Sequence, residues 1–185
     1  MQKTTSFYGS KNFGTSRTIQ DFGLCTSDGA YVQTTKSRTK GFLVVLFFDL
    51  TNQASVSALK MIDAWGSEIA PAKISILAVV KADRDSTNAL ATDLGLKNVM
   101  LLLDHESYQA RNWGVSTFPS LYVIEGKSGR ILAKVIGADT QEINAAQSML
   151  QNRVSEMLEA EEKAKRAEEE KKAAEAAAKS EEPKK

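Results

Sequence analysis

Seven consecutive apolar residues, Phe42 to Phe48 (FLVVLFF), lie between Gly41 and Asp49. A run of strand length with no polar alternation suits a strand covered on both faces, so the fold must place a layer on each side of it. Ile74 to Val80 (ISILAVV) repeats the pattern, and Val99 to Leu103 is a third such run. Between the first two, Thr51 or Asn52 can cap a helix whose apolar positions Ala58, Ile62, Trp65 and Ile69 recur at helical spacing, and Pro71 ends it. Asp85 or Ser86 can start a second, short helix that stops near Gly95.

The flanks complete the sheet. Phe22 to Cys25 and Ala30 to Thr34 enclose Ser27-Asp28-Gly29, a hairpin signal. After Asp104-His105-Glu106 comes a short helix to Trp113, closed by Gly114. Phe118-Pro119 then leads into Ser120 to Ile124, a turn at Gly126 to Gly129, and Ile131 to Ile136, which read as an antiparallel hairpin. A β-α-β-α-β opening followed by β-β-α predicts an α/β fold, a mixed sheet with helices on both faces and an N-terminal β-hairpin.

The last helix starts at Asp139-Thr140. It keeps an apolar face through Ile143, Ala146, Leu150, Val154 and Met157 and then loses it. From Glu159 to Lys185 nine Glu and eight Lys or Arg alternate with Ala. Acid precedes base by four residues at Glu159/Lys163, Glu161/Lys165, Glu162/Arg166, Glu168/Lys172 and Glu175/Lys179. Each such pair adds about 0.2 to 0.5 kcal/mol to a solvated helix, whereas no Leu or Ile seam exists for a coiled-coil partner. Residues 1–20 are rich in Ser, Thr and Gly, with no acid, and read as a flexible arm that Phe7, Tyr8 and Phe13 could pin to the domain. The predicted organisation is an arm at 1–20, a domain at 21–158 and a charged helical tail at 159–185.

Charge and sulfur narrow the function. With 24 Lys+Arg against 23 Asp+Glu the net charge is +1, which gives no field to gather nucleic acid or an anionic membrane. One Cys forms neither an intrachain disulfide nor a zinc cage, and one His, His105, makes no metal cluster. No run reaches the roughly 18 apolar residues of a membrane span, and the first twenty residues lack the apolar stretch of a secretory signal, so the expected location is cytoplasmic, with an exported or organellar processed form as the alternative. Gly126-Lys127-Ser128-Gly129 lacks the spacing of a phosphate loop. No cofactor is implied.

Several segments together resemble a known family: Phe22-Gly-Leu-Cys-Thr-Ser-Asp-Gly29, Lys40-Gly41 before the apolar strand, Asp104, Ala110, Trp113-Gly-Val115, Phe118-Pro-Ser-Leu-Tyr-Val-Ile124, Gly129-Arg-Ile131 and Gly137. In order and spacing they are similar to the redoxin branch of the thioredoxin-like superfamily, which includes TlpA-type thiol-disulfide oxidoreductases and alkyl hydroperoxide reductase-type peroxiredoxins. The resemblance spans about residues 20 to 150. It implies a CxxC at the start of the helix after the central strand, where the helix terminus lowers the first thiol's pKa and the second Cys resolves the mixed disulfide. Here those positions read Asn52-Gln53-Ala54-Ser55.

A Ser55 hydroxyl has no comparable redox cycle. The peroxidase pattern fails as well, since the residue three after Thr51 is Ala54. The remaining sulfur, Cys25, falls in the predicted hairpin and is expected to be a buried structural residue; its alternative role is a reactive thiol. What does match is Phe118-Pro119, where the resemblance places a cis-proline whose backbone pairs with an extended substrate peptide, a mode of binding that needs no thiol. A groove formed by Thr51, Asn52, Ser55, Trp113, Thr117, Phe118 and Pro119 is the candidate binding site. The resulting expectation is a redox-inactive, protein-binding or scaffold module, joined to its partner through the groove, the C-terminal helix or both. The alternatives are an oxidoreductase or peroxidase working through Cys25, and a non-catalytic peptide-holding chaperone.

Overall fold

A computed structural model describes residues 18–180, with side chains through Ala173. The central strand β3 (Phe42–Phe48) is buried along its whole length. It pairs in parallel with β4 (Ile74–Val80), which pairs in parallel with β5 (Met100–Leu103). On the other side β3 meets β6 (Ser120–Glu125) antiparallel, and β6 meets β7 (Ile131–Ile136) antiparallel. The hairpin β1 (Gly23–Thr26) and β2 (Tyr31–Gln33) joins antiparallel to the outer side of β5. The result is one seven-stranded sheet in the order β2-β1-β5-β4-β3-β6-β7.

The side chains of β3 alternate between two cores, which explains its unbroken apolar sequence. Phe42, Val44, Leu46 and Phe48 pack with Ala58, Leu59, Ile62 and Trp65 of helix α2 (Gln53–Glu68), and with Ile143, Ala146, Leu150 and Val154 of the last helix. Leu43, Val45 and Phe47 face the opposite layer, with Phe22, Leu102, Trp113, Tyr122 and Ile124. There Trp113 sits 5.2 Å from Tyr122 and 5.5 Å from Phe22, edge to face in both cases.

Local chemistry sets the element boundaries. Helix α3 (Arg84–Leu94) begins one residue earlier than the sequence predicts, because Asp83 caps it by accepting the Ser86 N–H at 2.8 Å, and Gly95 closes it in the left-handed region at φ 62°. A helical turn, α1 (Thr34–Ser37), continued as a 3-10 turn at Arg38–Lys40, is absent from the sequence expectation; too short to show a periodicity, it links the hairpin to β3. Helix α4 (Tyr108–Asn112) lies against the second core through Ala110. The edge strand β7 carries a bulge at Leu132, since Val123 pairs with Ala133 and Ile124 with Ile131.

The last helix, α5 (Thr140–Ser180), is a single 41-residue element. Asp139 caps it, accepting the N–H groups of Gln141 at 2.8 Å and Glu142 at 3.2 Å. Burial ends at Val154, with Met157 partly covered, and every residue from Leu158 to Ala173 is exposed. Gly41, at φ 140°, lets this helix approach closely: a Cβ there would stand 2.9 Å from Met157 Cε and 3.0 Å from the Lys73 carbonyl. Among the described side chains two of the acid-before-base pairs form, Glu162 with Arg166 and Glu168 with Lys172 at 2.6 Å, while Glu175/Lys179 lies outside them. Glu161 instead reaches out of its helix to Lys73.

At the other end, Thr18 forms an antiparallel bridge with Arg130 and the Ile19 N–H donates to the Gly129 carbonyl at 2.9 Å. Thr18, Ile19 and Gln20 therefore lie against the domain. Phe7, Tyr8 and Phe13, considered above as anchors of the arm, lie outside the described residues, as do residues 181–185 of the tail.

Candidate functional site

Two loops meet at one end of the sheet because β3 and β6 are antiparallel neighbours: Phe47 pairs with Ser120, so the loop leaving Phe48 lies beside the loop that enters β6. The first loop is shaped by Asp49, whose Oδ1 accepts both the N–H and the hydroxyl of Thr51 at 2.8 Å. Asp49 is a structural participant that the sequence reading left out; its signal was an Asp two residues before a Thr, an Asx-turn pattern. Thr51 is exposed and its hydroxyl proton is engaged by that carboxylate.

Asn52 caps α2. Its Oδ1 accepts the N–H of Ala54 at 2.9 Å and of Ser55 at 3.3 Å, filling the place where an anion or thiolate would meet the helix terminus. With Oδ1 so oriented, Nδ2 faces the second loop and donates to the Phe118 carbonyl at 3.4 Å. Ser55, one turn into the helix, is fully buried, and its hydroxyl has no hydrogen-bond partner among the described residues.

The second loop contains the cis peptide bond Phe118-Pro119. Thr117 is exposed, Phe118 is half-buried and Pro119 is buried. The Ser120 hydroxyl donates to the Thr117 carbonyl at 2.7 Å, and the Gly137 N–H donates to the Pro119 carbonyl at 2.8 Å, which ties the loop to the far end of β7. The structure thus brings together Thr51, Asn52, Ser55, Thr117, Phe118 and Pro119. Trp113 does not line this surface: it is 2% exposed, stacked in the second core, and its indole N–H donates to the Gln20 carbonyl at 3.2 Å.

Cys25 is exposed, not buried as expected. Phe22, just before β1, and Leu24 within it turn toward the second core, so strand alternation turns the next residue, Cys25, the other way. Its register is Cys25 to Leu103, Leu103 to Val80 and Val80 to Phe48. Three strand spacings of about 4.8 Å put it about 14 Å across the sheet from the end of β3, well beyond contact with the α2 terminus. No sulfur therefore stands at the loop pair, and its hydroxyls cannot run a thiol-disulfide cycle.

No protein-family model matches the sequence, and no curated protein matches it. Solved structures do resemble the fold. The peroxidoxin BcpB from Mycobacterium tuberculosis is similar with a TM-score of 0.62 at 15% identity, over 75% of this chain and 94% of that one. A thiol-disulfide oxidoreductase from Bacteroides fragilis gives 0.56 at 17% identity, over 70% and 98%. The pneumococcal exposed lipoprotein thioredoxin from Streptococcus pneumoniae gives 0.58 at 19% identity, over 70% and 99%. With the strand order and the paired loops described above, these likenesses show that the chain has a thioredoxin-like fold; its one cysteine lies away from the α2 terminus.

Proposed function

We propose that this protein is a redox-inactive thioredoxin-like module that binds another protein through the loop pair Thr51–Ser55 and Thr117–Pro119, with the exposed part of α5 as a tether or spacer. In this reading the chain divides into an arm at 1–20, a domain at 21–158 and the tail at 159–185. The observation that carries it is the first turn of α2. Asn52 and Ser55 stand where the resemblance puts the two cysteines, and Asn52 Oδ1 occupies the helix terminus that would otherwise activate a thiolate. What survives of the site is backbone and surface beside Phe118-Pro119, suited to pairing with an extended segment.

Two measurements test this. Insulin disulfide reduction and peroxide consumption should both be at background for the wild type, whereas Asn52→Cys with Ser55→Cys should create dithiol-disulfide exchange. Wild-type turnover abolished by Cys25→Ser would refute the proposal and establish the enzyme reading instead. For the binding half, reduced and carboxymethylated α-lactalbumin, an unfolded chain, should bind saturably and less tightly to Phe118→Ala.

A further inference from the structure

We infer that the Asn52 carboxamide is an internal competitor for the strand-pairing site at Phe118, an autoinhibitory contact that a bound segment must displace. The inference rests on the binding reading above and concerns the regulation of that same loop pair. An extended segment pairing with the backbone at Phe118 needs its carbonyl as an acceptor for one of the segment's N–H groups. That carbonyl already receives Asn52 Nδ2 at 3.4 Å. The carboxamide cannot turn away at no cost, because its Oδ1 is held by the Ala54 and Ser55 N–H groups and a flip would aim Nδ2 at those donors. The bond to Phe118 is long, so it yields to a better-aligned backbone donor while discriminating against weak ones.

The chemistry of the occupant follows. It is an extended peptide segment that presents a backbone N–H to the Phe118 carbonyl, and Pro at the pairing residue would be rejected for lack of that donor.

The test compares wild type with Asn52→Ser, which retains a capping oxygen but whose shorter side chain cannot also reach Phe118. Asn52→Asp, isosteric and a strong cap but without the donor, is the second variant. Thermal melts establish that each is folded. Titration with reduced, carboxymethylated α-lactalbumin should give about two- to tenfold tighter binding for Asn52→Ser than for wild type, the range expected from removing one competing hydrogen bond. Equal affinities overturn the inference and leave the binding reading standing. If neither protein binds, the binding reading fails, and exchange of the Asn52 side-chain amide protons in the free protein decides: retardation supports the contact, and exchange at the rate of a free Asn amide overturns it.

Discussion

Lys73 holds Glu161 by both carboxylate oxygens, at 2.7 and 2.6 Å, across 88 residues of chain. The pair fastens α5 beside the turn that follows α2, one turn past the last partly covered residue, Met157. Both side chains remain partly exposed, at 22% and 45%, so solvent screens the pair. Lys73→Met is expected to lower global stability by no more than about 1 kcal/mol in urea denaturation, with the effect fading as salt is added. The local effect should be larger: amides near Glu161 should exchange faster in Lys73→Met, and unchanged exchange there would show that the helix base is held by packing alone.

Asp63 makes a more demanding contact. Its Oδ1 accepts three successive backbone N–H groups, from Lys97 at 3.1 Å, Asn98 at 2.8 Å and Val99 at 3.0 Å, while Asn98 Nδ2 donates to the Asp63 carbonyl at 2.9 Å. Asp63→Ala orphans these donors and should destabilise by about 1 to 3 kcal/mol with an unchanged denaturant slope. Gly66→Ala attacks the same joint from below, since a Cβ there would fall 2.1 Å from Asn98 Cβ. It too should lower the midpoint; a neutral result would mean that the loop before β5 shifts freely.

Ser55 predicts a change of the opposite sign. A buried hydroxyl without a partner carries a desolvation cost, so Ser55→Ala should be neutral or stabilising by up to about 1 kcal/mol. Thermal melting decides it, and a clear loss of stability would reveal a hydrogen bond made by that hydroxyl.

The Asp83 cap should appear in the pH profile. The Ser86 N–H, then the Ser86 hydroxyl, hold the Asp83 carboxyl below its ordinary value. A depressed folded-state pKa gives stability that is complete above the unfolded carboxylate's value, about 3.9, and is lost as pH falls through the lower folded value. Asp83→Asn keeps an acceptor but does not titrate. The advantage of wild type over Asp83→Asn at pH 7 should therefore shrink as pH falls below about 4; a constant difference would assign the cap's contribution to something other than charge.

How much of this was legible depended on range. Phe42 to Phe48, Ile74 to Val80 and the spacing of Ala58, Ile62, Trp65 and Ile69 carry their own periodicity, and the strands and α2 follow from them. Asn52 as a cap and Phe118-Pro119 at the mouth of β6 were readable because their signals are local or tied to the resemblance. Cys25 was misplaced although its alternation with Leu24 was visible, because a four-residue strand gives little periodicity to weigh. Trp113 suited a groove or a core equally well; only Phe22, Phe47 and Tyr122, brought in from three other elements or segments, decide for the core. The Asp63 contact with 97–99 and the diversion of Glu161 from Lys165 to Lys73 join distant segments, and no local pattern announces them.

The continuity of α5 fixes direction as well as distance. A helix that begins in the core at Ile143 and runs to Ser180 without a break has no swivel at the domain surface, so its far end turns with the sheet. Each residue contributes about 1.5 Å and 100°. One residue inserted near Leu158 would barely lengthen the arm but would swing whatever it carries by more than a quarter turn, whereas seven would nearly restore the original azimuth. A partner that tolerates the second insertion and refuses the first would be reading angle, as a key does, where a flexible linker could convey only reach.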